Sequence, residues 1–302
     1  MEETIAPPQA GPARWLIVII PYLWLLLFFA SPFLIIVKIS LSDTAIAMPP
    51  FVPVFKGFGS LGDFLSQLDF ENYVFLAQDS LYIQAYLSSL RIAAISTLLL
   101  LLIGYPIALA MARAKPGIRP ILVMLVILPF WTSFLIRVYA WIGILKPEGL
   151  LTLFLQTLGL LAPSDQVQIF RTDYAVFIGI VYSYLPFMVL PLYAALEKMD
   201  PTLLEAANDL GCPPMKAFWK ITFPLSMPGV IAGALICFIP ITGEFVIPDL
   251  LGGAETLMIG KTLWTEFFSN RDWPLASAVA VILLLVLVIP IMIFQNYQQK
   301  VG

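Results

Sequence analysis

Six long apolar stretches alternate with shorter segments rich in charge, proline and glycine. They cover about 15–37, 88–112, 120–145, 174–196, 228–250 and 274–294. A helix that crosses the hydrocarbon core of a bilayer needs ~20 mostly apolar residues, and each stretch supplies about that length. The expected fold class is all-α and integral to a membrane, with six transmembrane helices. One transmembrane domain over 15–296 then lies between tails at 1–14 and 297–302. The first apolar run is too long for the h-region of a signal peptide and lacks a convincing cleavage site. It is read as a retained span.

Composition points the same way. Of 302 residues, 60% are hydrophobic and 12% charged, with a mean hydropathy of +0.94. Soluble domains carry roughly 25% charge. So much apolar surface with so little charge calls for lipid as solvent. Histidine is absent, which removes the commonest acid–base side chain and a common metal ligand. Cys212 and Cys237 have no partners at metal-ligand spacing, so no metal is expected. No G-x-S-x-G nucleophile pattern is present. The net charge of −3 and the lack of a basic cluster speak against nucleic acid as a partner.

Six crossings put both termini on one side. On that side fall Arg14, Arg113, Lys115, Arg119, Lys198, Lys216, Lys220 and Lys300. The longer opposite loops hold Lys56, Lys146, Arg171, Lys261 and Arg271. Basic residues collect in cytoplasmic loops, so both tails and the loop at 197–227 are expected in the cytoplasm. The outer loops carry acid instead, among it Asp43, Asp63, Asp69, Glu71, Asp173, Glu255 and Asp272. An acidic entrance concentrates cations, although ordinary loop charge has the same appearance. The first outer loop, roughly 40–87, contains a Pro-rich run at 49–53 that either docks a partner or caps the bundle.

The loop at 197–227 has an internal logic. Asp200-Pro201 is an N-cap followed by proline at the first helical position. Leu203, Leu204, Ala206, Ala207 and Leu210 give an apolar face at helical spacing. Gly211 is suited to a left-handed C-cap, and Pro213-Pro214 cannot continue the helix. A second short helix is expected over 215–221, with Phe218 and Trp219 exposed or half-buried. Pro224 and Pro228 are expected to restart the chain as the fifth span. Two short helices with a kink make a rigid knob. No G-x-x-x-x-G-K-[ST] phosphate loop occurs anywhere, so any ATP hydrolysis by that route needs a partner.

Glu205-Ala206-Ala207, three residues, Gly211, nine residues, then Ile221-Thr222-Phe223-Pro224 resembles the EAA loop of binding-protein-dependent ABC import permeases. Phe223 departs from it, standing where that family prefers Leu. The resemblance implies the type I importer permease fold. It also implies that Glu205, Ala206, Ala207, Asp209, Gly211, Phe218, Ile221 and Pro224 couple this chain to a separate ATPase subunit. Residues 129–137 (PFWTSFLIR), 185–193 (LPFMVLPLY), 243–253 (GEFVIPDLLGG) and 270–274 (NRDWP) are similar to putrescine/spermidine importer permeases of the PotH type. Those carry a Glu at the position of Glu244. This similarity implies a homologous second permease subunit, two copies of an ATP-binding subunit, a periplasmic polyamine-binding protein and a place in the bacterial inner membrane. It implies a non-catalytic chain that binds no cofactor itself, with ATP and Mg used by the partner.

A polyamine is an aliphatic chain bearing ammonium groups. Its path wants carboxylates and aromatic faces for cation–π contact. Glu244 lies in an apolar stretch between Pro240 and Pro248, and an ionisable residue there is a functional candidate by default. Gly243 and the two prolines predict a broken helix facing a cavity. Alternatively, Glu244 lies near the outer interface or pairs with Arg137. Asp249 is nearer the outer end. Trp131, Trp141, Tyr184 and Phe245, with Tyr139 and Tyr182, are candidate walls of the path. Aromatics near span ends also serve as interface anchors. Arg137 either holds a carboxylate or snorkels outward. Binding within such a path is expected to be weak, since a tight site would not release. The same machine with another small solute is the nearest alternative. A standalone secondary transporter is disfavoured by the lack of an inverted repeat.

Overall fold

The structure is a computed structural model that describes residues 12–55, 64 and 66–301, with the backbone alone for 12–17 and 293–301. Most of the tail expected at 1–14, and Lys56 and Asp63 of the first outer loop, lie outside the described residues. Among the described residues, four helices are long and apolar enough to cross a membrane, or six if each of two bent helix pairs makes one crossing. This agrees with the all-α class expected.

The described chain divides into two compact units. The first holds the residues up to Gln78 together with Glu266–Ile282. It opens with α1 (Pro12–Leu25), a π turn (Leu26–Ala30) and α2 (Ser31–Ser40), which form one apolar rod. Leu23, Trp24, Leu26, Phe29 and Leu34 are all exposed. A helix that is apolar all round must be covered by lipid or by protein. A short antiparallel ribbon follows, β1 (Asp43–Thr44) on β2 (Phe51–Val52), with Asp43 opposite Val52. Lys38 donates to the Pro53 carbonyl and lies 4.1 Å from the Phe51 ring centre. In α3 (Glu71–Gln78), the Asn72 amide donates to the carbonyls of Ser40 and Ser42 at 3.1 and 2.9 Å. The carboxylates of Asp43, Asp69 and Glu71 lie within 4.8 Å of one another, all exposed.

The second unit holds Asp79–Thr265 and the chain from Leu283. Its centre is a bundle of α4 (Ser80–Arg113), α8 (Asp173–Glu197) and α11 (Phe223–Thr242), packed over Ile92, Leu100, Ile180, Met188, Leu192 and Ile241. Asp79 caps α4 by accepting from the Leu81 N–H at 2.8 Å, so this helix begins eight residues before the apolar stretch does. Tyr105 and Ser226 hydroxyls meet at 2.7 Å and join α4 to α11. Interhelical hydrogen bonds of this kind act where lipid leaves no hydrophobic drive between helices. Pro186 and Pro191 lie inside α8, and Pro228 and Pro240 inside α11, as a bundle in lipid tolerates.

Two stretches are not single straight helices, and of their bends only the interruption at Gly243 was expected. The third is α5 (Arg119–Ile127), a 3-10 turn (Leu128–Trp131) and α6 (Phe134–Leu145), bent by 86°. Pro129 offers no N–H, and Thr132 and Ser133 turn the backbone out of helical geometry. A further short helix, α7 (Leu150–Thr157), follows. The fifth stretch does not restart at Pro228. α9 (Thr202–Asp209) and α10 (Pro214–Ala217) lead through a π turn (Phe218–Thr222) directly into α11. The chain bends by 64° between Pro214–Leu225 and Met227–Thr242. α11 then stops at Thr242, eight residues before the apolar stretch ends. After Gly243 come α12 (Val246–Leu251) and α13 (Ile259–Trp264). The final helix, α14 (Trp273–Val301), continues through the segment expected as a tail.

Candidate functional site

Two regions of the second unit gather the candidate residues. The first is the knob between α8 and α11. Asp200 accepts from the Thr202 N–H at 3.0 Å, which starts α9 and holds the Asp200 carboxyl below its usual range. Gly211 sits at φ +74, where a side chain would be strained. The Cys212 N–H closes the end of α9 on the Ala207 carbonyl at 2.9 Å, the cap expected of a left-handed glycine. Ala207 is buried, while Glu205, Ala206 and Asp209 are exposed. Leu203, Leu210, Met215 and Trp219 are exposed too, Leu210 to 87%. Clustered apolar side chains left uncovered mark an interaction surface.

Phe218 is placed differently from the other coupling candidates. It is half-buried at the knob's root, edge-on to Tyr105 with ring centres 5.4 Å apart and 6.2 Å from Phe223. Trp219 packs on Phe223 at 5.2 Å. These rings connect the knob to α4 and α11. Ile221 is half-buried in the π turn, and Pro224 is exposed in the first turn of α11. Tyr105 was not singled out from the sequence, because it lies about a hundred residues away in the middle of an apolar run.

The second region is the break after α11. Glu244 is buried, and its carboxylate accepts from the Tyr184 hydroxyl at 2.7 Å and from the N–H groups of Val246 and Ile247 at 3.0 and 3.5 Å. It thereby caps α12 with a negative charge at the positive end of the helix. Glu244 does not pair with Arg137. Arg137 is itself buried and donates to the Pro129 carbonyl at 2.7 Å, with the rings of Phe130 and Phe134 at 5.2 and 5.9 Å. Of the two roles expected for it, neither holding a carboxylate nor snorkelling outward is what the contacts describe.

Asp249 is exposed and faces Lys261, Oδ1 to Nζ 3.5 Å. Phe245 stacks on Trp264 with ring centres 4.5 Å apart and planes 10° from parallel. Tyr184 and Glu244 thus meet at the break, while Phe245 and Asp249 meet Trp264 and Lys261 one helical turn apart. Trp131 is exposed at the break of the third stretch, and Trp141 packs edge-on against Tyr182 at 5.4 Å. Phe130 and Phe187 lie 5.1 Å apart, and Tyr184 is 6.0 Å from Phe187. Lys261 counted in the sequence only as an outer-loop cation, and Trp264 was passed over. Their i,i+3 spacing was the available signal.

The chain is similar to known proteins. Residues 101–300 match the family model described as the binding-protein-dependent transport system inner membrane component. The spermidine/putrescine transport system permease PotB of Haemophilus influenzae is 45% identical over 224 residues, 74% of this chain and 77% of that protein. PotB of Escherichia coli is 43% identical over 224 residues, 74% of this chain and 80% of that protein. Among solved structures, a bacterial alginate ABC transporter in complex with its alginate pentasaccharide-bound periplasmic protein contains a chain that superposes with a TM-score of 0.68 at 17% identity. The match covers 95% of this chain and 94% of that one. At that identity the likeness speaks to the fold.

Proposed function

This chain belongs to the family of inner-membrane components of binding-protein-dependent transport systems, and from that premise we propose that it forms half of the translocation path of an ATP-driven polyamine importer. A homologous permease supplies the other half, an ATPase dimer binds the knob, and a periplasmic polyamine-binding protein delivers the cargo. ATP and Mg belong to the ATPase. The knob and both tails face the cytoplasm, in keeping with the basic residues at Arg113, Lys115 and Arg119.

The observation that carries this reading is the break after α11. There Glu244 meets Tyr184, and along the following helix Asp249 and Phe245 face Lys261 and Trp264. Carboxylates and ring faces are what a flexible polycation binds weakly and leaves readily. Glu244 is satisfied by its own chain, so its role is to hold the interruption in shape. Asp249, exposed but paired with Lys261, is the carboxylate within reach of cargo. At the other end, ATP-driven closure of the partner moves the knob. The Phe218–Tyr105–Phe223 cluster carries that movement into α4 and α11, and α11 ends at the break.

The test is isolation of the tagged chain from native membranes. The expected outcome is a complex with a second permease and an ATPase, whose hydrolysis rises when a polyamine-loaded binding protein is added. Hydrolysis stimulated only by a different loaded solute would keep the machine and remove the substrate. Isolation without an ATPase would remove the coupling assignment.

A further inference from the structure

The contact between α12 and α13 is built like a docking site already filled. Gly260 seats α13 against the backbone of the break. A Cβ there would run into the Gly243 carbonyl and would come within 2.7 Å of the Glu244 carbonyl. The segment is pinned before that point, because the Ile259 N–H donates to Ser89 at 2.7 Å. The Thr256 hydroxyl also donates to Asp173 at 2.7 Å. From this fixed base, Lys261 and Trp264 project from one face of α13 at i,i+3 spacing. They meet Asp249 and Phe245, which lie one helical turn apart on α12, where the Asp249 N–H bonds the Phe245 carbonyl at 3.0 Å.

A lysine side chain is a four-carbon stem ending in an ammonium. That is also the aminobutyl end of putrescine and of spermidine. We propose that Asp249, beside the Phe245–Trp264 stack, is a subsite for one aminobutyl end of the cargo, held in this structure by Lys261 as a tethered stand-in. The inference rests on the polyamine reading above. It adds a competitor within the chain, which that reading does not contain.

The geometry suits exchange. The Lys261 and Asp249 side chains are 32% and 57% exposed, and pairs this open are weak and easily traded. The neighbouring rings offer faces to whichever ammonium is present, and Trp264 remains 42% exposed. Trading one ammonium for another leaves the charge at Asp249 balanced throughout, so the carboxylate is not left bare between cargo molecules. It also keeps the subsite weak, as a path requires.

The experiment uses the intact complex in nanodiscs, without binding protein, and measures retention of radiolabelled putrescine at equilibrium. Lys261→Met, which keeps the stem and removes the charge, should tighten putrescine binding about threefold to fivefold. Lys261→Gln should do the same, and Lys261→Arg should restore the weaker binding. Asp249→Asn should bind more weakly, and Lys261→Met should bring no gain in its background. Equal binding by Lys261→Met and the unaltered complex, or a gain that survives Asp249→Asn, would overturn the proposal. Uptake by the unaltered complex with loaded binding protein separates the two levels. Uptake without any Lys261 effect removes the stand-in alone, whereas no polyamine uptake removes the polyamine reading and the stand-in with it.

Discussion

The two interrupted stretches of the second unit solve one problem with opposite charges. At the break in the third stretch, the cation Arg137 donates to the Pro129 carbonyl, which also accepts from the Thr132 hydroxyl and N–H at 2.8 and 3.3 Å. At the break in the fifth, the second half-helix begins with free N–H groups, and the anion Glu244 accepts from two of them. Backbone groups freed inside a membrane protein must find partners. The end of a helix carries partial negative charge and its start partial positive charge. Each ionised residue therefore has the sign that the adjacent helix end calls for. A charge in an apolar stretch is thus not by itself a ligand site, since here both serve the backbone first.

The comparison breaks most visibly at Glu244. Replacement by Leu removes the acceptor for a hydroxyl and two N–H groups and should cost about 3 kcal/mol. Thermal unfolding of the purified complex should show it, with polyamine flux lost. Glu244→Gln keeps a carbonyl acceptor and should lose about 1 kcal/mol, the value of a neutral bond. Equal losses from Gln and Leu would mean that the charge, not the acceptor, is what matters. Arg137→Met should cost about 2 kcal/mol, because it removes one charged donor with its ring contacts. If it proves neutral, the Thr132 hydroxyl and N–H suffice for the Pro129 carbonyl and the symmetry of the two breaks fails. A modest effect on stability is expected at the knob. Gly211→Val forces a side chain into a left-handed backbone, at about 1–2 kcal/mol. It should leave the chain in the membrane yet abolish stimulation of the ATPase by loaded binding protein. Normal stimulation would detach the knob's shape from coupling.

The knob was readable in advance because its signals are local. Asp200-Pro201, the glycine at 211 and the paired prolines each act within a few residues, and its spacing is met wholly within one loop. The break was readable only in part. Gly243 between Pro240 and Pro248 announced an interruption. Which groups would answer it was not announced, since Tyr184 lies sixty residues from Glu244 and in another helix. The bend at Thr132 and Ser133 was hidden for a related reason. Apolar length counts residues and does not report direction, and Pro129 within an apolar run is compatible with a straight helix in lipid.

Composition and apolar length were thus sufficient to establish a chain dissolved in lipid, and local caps were sufficient to define an exposed knob whose end is spelled out residue by residue. Hydrophobicity sums along the chain and caps close within a turn, so neither depends on what lies beyond. The meetings of Glu244 with Tyr184 and of Lys261 with Asp249 were decided by packing alone. A buried charge takes whichever complementary group the fold brings within hydrogen-bond reach, and that distance exists only once α4, α8 and α11 have come together around the break.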